Sequence, residues 1–161
     1  MLKAVYPGTF DPATRGHVDI IRRATQIFDG VEVAVVRSSR KELTFSAEER
    51  AALVRGSLEE AGIRVAAVTI FDGLLVDFMR SAGHTVFLRG LRAISDFEFE
   101  LQMQLMNRKL DPGITGLYLL PSEEYIYLSS TLVKEIASRG GDVSFFVFPC
   151  VESILRERMA R

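Results

Sequence analysis

Tyr6-Pro7-Gly8-Thr9-Phe10-Asp11-Pro12-Ala13-Thr14-Arg15-Gly16-His17 joins a short apolar run, Leu2–Tyr6, to an amphipathic segment beginning at His17. Gly8 and Gly16 take side chains away where the backbone must come close to something. Thr9, Thr14 and His17 put hydrogen-bond donors at the amino end of the helix that follows. A helix amino end, with free N–H groups and the positive end of the dipole, is an anion site. A strand, a glycine-bearing turn and a donor-rich helix start point to phosphate chemistry. A lone histidine at the helix mouth points to catalysis.

Working outward, strand and helix patterns alternate along the chain. Leu2–Tyr6 reads as a strand, and His17–Phe28 has the apolar spacing of a helix that Gly30 ends. Val31–Val36 is a second strand, and Ser46-Ala47-Glu48-Glu49 fits a capping box for a helix ending near Gly62. Arg64–Ile70 is a third strand, and Leu74–Ala82 a short helix stopped by Gly83. His84–Leu88 is a fourth strand, Ile94–Leu110 a long helix, and Thr115–Leu120 a fifth strand. Helices near Ser129–Arg139 and Val151–Met159 complete the chain.

Five apolar strands separated by helices predict an α/β fold, a doubly wound parallel sheet covered on both faces. Right-handed crossovers make the natural order 3-2-1-4-5, a Rossmann-like sheet with carboxyl-terminal helices in one domain spanning 1–161. The chain reverses direction between strands 1 and 4, and ligands bind beyond the carboxyl ends there. The opening motif follows strand 1, and Arg89-Gly90-Leu91-Arg92 follows strand 4, so both reach the same crevice.

Lys and Arg total 20 against 21 Asp and Glu, a balance that argues against a protein that coats nucleic acid. The amino terminus lacks a signal-peptide pattern, and no apolar run approaches the ~20 residues that span a bilayer. Cys150 is the only cysteine, which excludes an internal disulfide and a cysteine-based zinc cluster. These features predict a cytoplasmic protein with no membrane and no nucleic-acid partner.

His17 suits a nonbridging oxygen of a reacting phosphate, because phosphoryl and nucleotidyl transfer need positioning and charge neutralisation more than a nucleophile. Arg89 and Arg92 offer planar donor forks that match phosphate oxygens. Arg37 and Arg40 read as solvated. Of the hydroxyls Ser129, Ser130 and Thr131, one is needed to cap a helix and the others are free for a nucleotide. Asp11, Asp96, Glu98 and Glu100 make no metal cluster by spacing, and at most one of Glu98 and Glu100 faces the crevice. His84 reads as structural. In Ile94–Leu110, Phe97, Leu101 and Leu105 share one face, with Phe99, Met103, Met106 and Leu110 roughly opposite. One face covers the sheet, and the other needs a second copy or the carboxyl-terminal helix.

Three segments, YPGTFDPATRGH (Tyr6–His17), RGLRAISDFEFE (Arg89–Glu100) and YLSSTLVKE (Tyr127–Glu135), resemble phosphopantetheine adenylyltransferases. The resemblance implies transfer of AMP from ATP to 4′-phosphopantetheine, giving dephospho-coenzyme A and pyrophosphate by direct attack. It implies that Thr9 and His17 contact phosphates and that His17 stabilises the transition state, with Lys41 and Arg92 as further catalytic groups. Lys41 and Arg89 would hold the pantetheine phosphate, and Leu75 would line the pantetheine arm. Phe10, Gly90, Leu91, Arg92, Glu100 and the run Tyr125, Ile126, Tyr127, Leu128, Ser129, Ser130, Thr131 would contact ATP. Magnesium carried with ATP, inhibition by coenzyme A and a cytoplasmic homohexamer are also implied. Two motifs depart from the wider superfamily: Thr14-Arg15-Gly16-His17 stands for HxGH, and Lys134 for an arginine. Two alternatives remain at this point: a sister adenylyl- or cytidylyltransferase with another acceptor, and a non-catalytic ATP-binding module on the same fold.

Overall fold

A computed structural model describes residues 2–38, 42–92 and 94–159, the backbone alone at 94 and 95. Its strands are β1 (Lys3–Gly8), β2 (Gly30–Val36), β3 (Ala67–Phe71), β4 (Val86–Gly90) and β5 (Thr115–Leu119). Its helices are α1 (Arg15–Ala24), α2 (Ala47–Glu60), α3 (Leu75–Ala82), α4 (Ile94–Leu110), α5 (Ser130–Ser138) and α6 (Pro149–Met159), with a short 3-10 turn at Glu123–Tyr125. Every ladder is parallel and the order is β3-β2-β1-β4-β5, as the sequence predicts.

The strands are apolar throughout because helices cover both faces of the sheet. Ala4, Tyr6, Val33, Val35 and Leu88 point to one face, where Ile20 and Ile21 of α1, Val54 and Leu58 of α2, Val133 of α5, and Val151 and Leu155 of α6 meet them. Val5, Ala34 and Phe87 point to the other, against Val76 and Met79 of α3. Ser46 caps α2 and Glu49 returns the bond, the capping box expected from the sequence. Gly83 stops α3 in the left-handed region at φ 72°, which a residue without Cβ adopts freely.

Several boundaries differ from expectation. The first helix ends at Ala24, not Phe28, and Gly30 opens β2 instead of closing a helix. The cause is Asp29, whose N–H donates to Leu2 O at 2.9 Å and whose carboxylate accepts the Leu2 N–H at 2.7 Å. Strand β3 starts at Ala67, and β4 runs on through Arg89 and Gly90, which lie opposite Tyr118 and Leu119 of β5. Arg89 therefore leaves a strand end, not a loop.

Helix α4 is the larger correction. Its inward stripe is polar: Asp96 and Glu100 pair with arginines, Gln104 faces Gly116, and Asn107 is buried. Both apolar stripes point outward, from Met103 at 38% exposed to Met106 at 62%. Helix α6 does not cover them. It docks on α2, with Cys150 against Gly56 and Arg158 paired to Glu49. Among the described residues no helix is long and apolar enough to cross a membrane.

Leu155 is completely buried where α6 meets the core. Leu155→Ala is expected to cost about 2–5 kcal/mol. Urea unfolding at fixed protein concentration checks this, and a loss under about 1 kcal/mol would mean that α6 is not docked as described.

Candidate active site

Strands β1 and β4 align at one pair only, Val5 opposite Phe87. Beyond it they part at their carboxyl ends and open a cleft of about 280 Å³. Tyr6, Pro7 and Gly8 line it from β1, Arg89 and Gly90 from β4, Glu100 from α4, and the start of α5 closes it. Arg89 Nη1 donates to Pro7 O at 2.9 Å, bridging the gap where strand pairing has stopped.

The turn after β1 carries Phe10 at φ 51°, a left-handed conformation uncommon outside glycine. That turn drives the ring inward, where it is 2% exposed and edges both Tyr6 and His17, with ring centroids 5.4 and 5.1 Å apart. A Cβ on Gly8 would stand 2.8 Å from the Phe10 ring, so glycine is what admits it.

Thr14 caps α1, its side chain accepting the His17 N–H, and His17 answers with its ring. The Thr14 backbone N–H donates to His17 Nδ1 at 3.0 Å. A backbone amide can only donate, so Nδ1 must be the acceptor and the neutral ring carries its proton on Nε2. Burial, then Arg92 and Arg89, push the His17 pKa from 6.5 down to about 4. At neutral pH His17 is thus an uncharged Nε2–H donor on the cleft wall. Burial likewise pushes Tyr6 up to about 12, against the pull of Arg89 and Arg92, so its phenol stays protonated.

The cations of the cleft are each matched by a carboxylate. Arg89 grips Glu100 through Nε, at 3.0 and 2.9 Å, and through Nη2 at 2.8 Å. Arg92 Nε reaches Asp96 at 3.2 Å and Nη1 donates to Leu128 O at 3.0 Å. Lys134 Nζ lies 2.7 Å from Asp11, which also accepts the N–H groups of Thr44 and Phe45 at 3.0 Å each. The Lys134–Asp11 and Arg89–Glu100 pairs, with carboxylates 5% and 12% exposed, hold their partners in place more than they add stability, and the Arg92–Asp96 pair is open to solvent.

The hydroxyl run at α5 divides by role. Ser129 is the cap, accepting the Leu132 N–H, and Ser130 Oγ donates to Pro12 O at 2.7 Å. Thr131 lines the cleft, and its hydroxyl has no protein partner among the described residues. The segment before it is pinned to α1 by Asp19, which accepts the Ser122 N–H at 2.7 Å, the Ser122 hydroxyl at 3.0 Å and Arg23 Nε at 3.0 Å. These bonds hold the Asp19 carboxyl below its ordinary pKa although burial opposes them.

Thr9, Phe10, His17, Arg89, Gly90, Arg92, Glu100, Tyr125, Leu128, Ser129, Ser130 and Thr131 thus meet at one cleft. Four expected residues stand outside its wall. Leu75 packs toward the Val76–Met79 core, Leu91 is tied to Leu119 O through its backbone, and Ile126 and Tyr127 are exposed. Arg40 and Lys41 lie outside the described residues, while Arg37 pairs with Glu48. The expectation for His84 as a structural residue agrees with its 2.8 Å bond to Glu32.

Sequence reasoning missed Lys134 and Asp11 as cleft residues. Lys134 was legible, since it follows Ser130 by one helical turn and shares its face. The pairing of Asp11 with Lys134, 123 residues away, was not.

A cytidylyltransferase-like family model matches residues 5–136, which sets the class as the nucleotidyltransferases. Solved structures agree at the level of fold. The Plasmodium falciparum nicotinic acid mononucleotide adenylyltransferase complexed with NaAD superposes with a TM-score of 0.72 at 13% identity, over 96% of this chain and 94% of that one. Curated relatives are far nearer in sequence. Phosphopantetheine adenylyltransferase of Thioalkalivibrio sulfidiphilus is 54% identical over 97% of both chains, and that of Cupriavidus taiwanensis 51% identical over 100% of this chain and 99% of the relative. The chain belongs to the phosphopantetheine adenylyltransferase family.

In the ligand-free protein, nitrogen-detected NMR of the two histidines is expected to show His17 as the Nε2–H tautomer, gaining a proton only near pH 4. His84→Gln assigns the signals. The unfolded chain takes up that proton at the ordinary 6.5, so this group's contribution to stability is complete above 6.5 and is lost as pH falls toward 4. Titration of His17 near 6.5 would refute the assignment.

Proposed function

We propose that this chain transfers the adenylyl group of ATP to 4′-phosphopantetheine, forming dephospho-coenzyme A and releasing pyrophosphate. The observation that carries the reading is the neutral His17, with its proton fixed on Nε2, at a cleft ringed by Arg89, Arg92 and Lys134. An oxygen of the acceptor phosphate attacks the α-phosphorus, the bond to the bridging oxygen breaks, and its electron pair leaves with pyrophosphate. His17 Nε2–H donates to a nonbridging α-oxygen as charge builds there, and no proton need move. A neutral donor suits this work, since an imidazolium would favour the anionic ground state as well.

In this reading Arg89 and Lys41 take the acceptor phosphate and Leu75 lines the pantetheine arm. Thr9, Phe10, Gly90, Leu91, Arg92, Glu100 and the run Tyr125 to Thr131 take ATP, with the free Thr131 hydroxyl as a donor from α5. Lys41, Leu75, Leu91, Ile126 and Tyr127 enter by motif position alone. Magnesium travels as the counterion of ATP. Among the described residues no three His, Cys, Asp or Glu gather for a metal, and Asp11 spends its oxygens on Lys134 and two backbone amides. The proposal includes a cytoplasmic homohexamer inhibited by coenzyme A, the finished form of the product. The exposed apolar stripes of α4 support assembly of copies.

Pyrophosphate release with ATP and 4′-phosphopantetheine, set against nicotinate mononucleotide, tests the acceptor. No product with the first and turnover with the second would overturn the reading. His17→Ala is expected to lower kcat by about 10²–10³, the cost of one preorganised donor, while the ATP dissociation constant moves far less. Equal losses in both would make His17 a binding residue. Analytical ultracentrifugation is expected to show six copies, and Phe99→Glu, placing a charge on an outward stripe, to dissociate them.

A further inference from the structure

Among the described residues Arg50 is the largest fully buried side chain, and no carboxylate bonds to it. It stands near the start of α2 and spends four of its five N–H groups on backbone carbonyls. Nη1 donates to Thr9 O at 2.6 Å and Val36 O at 2.8 Å, Nη2 to Arg37 O at 3.1 Å, and Nε to Phe45 O at 3.1 Å. These carbonyls belong to the cleft-lining turn after β1, to the end of β2, and to the chain entering α2. Asp11 ties the same turn to Thr44 and Phe45 in the opposite sense, accepting N–H groups where Arg50 donates them.

The bond to Thr9 O bears on the site. The carbonyl of Thr9 and the N–H of Phe10 form one planar peptide unit. That peptide is trans, so the N–H points away from the carbonyl and from Arg50. It has no backbone partner among the described residues, and both Thr9 and Phe10 line the cleft. A charge-assisted bond at the carbonyl fixes the peptide plane and polarises the N–H at its far side.

We propose that Arg50 is a positioning residue of the adenylyl-transfer site: it holds and polarises the Thr9–Phe10 peptide so that the Phe10 N–H serves as a donor to a nucleotide phosphate. A filler of buried space needs only volume. Arg50 instead places a fork of donors on carbonyls of three segments, one of them the phosphate turn. Lysine keeps the charge but loses the planar fork.

The inference rests on ATP as the nucleotide and not on the acceptor, so its test uses a non-hydrolysable α,β-methylene analogue of ATP, titrated calorimetrically into the full-length protein. Arg50→Lys is expected to bind the analogue about tenfold or more weakly, the worth of one charge-assisted bond. Binding of 4′-phosphopantetheine alone is expected to change little, and the Phe10 amide resonance to shift. Wild-type affinity in Arg50→Lys, or equal weakening toward both ligands, would make Arg50 a structural plug and overturn the proposal. Should Arg50→Lys not fold, Arg50→Gln, which keeps amide donors for the carbonyls, takes its place in the same titration. Wild-type protein that binds the analogue but transfers nothing to 4′-phosphopantetheine would sink the acceptor assignment and leave the test of Arg50 intact.

Discussion

The single aligned pair between β1 and β4, Val5 opposite Phe87, is the constraint on which the site depends. Parallel strands send all their carboxyl ends to one edge, and the order β3-β2-β1-β4-β5 makes the chain wind away in opposite directions on either side of this pair. The crossovers leaving β1 and β4 therefore cannot fill the space between them. Strand pairing gives out after Val5, and side chains take over. Arg89 reaches back to Pro7 O, Phe10 turns inward over Gly8, and His17 closes the turn by capping its own helix. The cleft is where backbone pairing ends and side-chain bonding begins.

The reciprocal cap between Thr14 and His17 joins local structure to chemistry. Any serine, threonine, aspartate or asparagine can satisfy a helix start. Histidine in the answering position also settles which ring nitrogen holds the proton. The bond that starts α1 thus prepares the donor, before any ligand arrives and without a separate orienting carboxylate. Burial first, and then the positive charges of Arg92 and Arg89, keep the ring neutral.

The order of the sheet, the helix starts at Ser46 and Ser129, and most of the cleft wall were legible in the sequence because each rests on local signals: apolar runs, hydroxyl caps, glycine stops. What escaped was set at long range. Arginine in an amphipathic helix ordinarily reads as solvated, yet Arg50 is buried since carbonyls from two distant segments, the turn after β1 and the end of β2, converge on it. The Asp11–Lys134 pair joins opposite ends of the chain for the same reason. Strand ends were misplaced by two residues at β4 because pairing with β5, not composition, carries it through Gly90.

Helix α4 inverts the usual rule that a helix turns its apolar face to the core. Asp96, Glu100, Gln104 and Asn107 recur at three- and four-residue spacing and look inward, while phenylalanines, leucines and methionines look out. The inversion follows from what lies beneath the amino-terminal half: two cleft arginines whose charges call for carboxylates. Glu100 and Asp96 supply them, so the seating of α4 sets where both guanidiniums stand. Gln104 Oε1 is buried against Gly116 with no hydrogen-bond partner among the described residues, and Asn107 is buried one turn further on. The helix is thus anchored to the protein by its charges at the cleft end, and its apolar surface faces outward along its length.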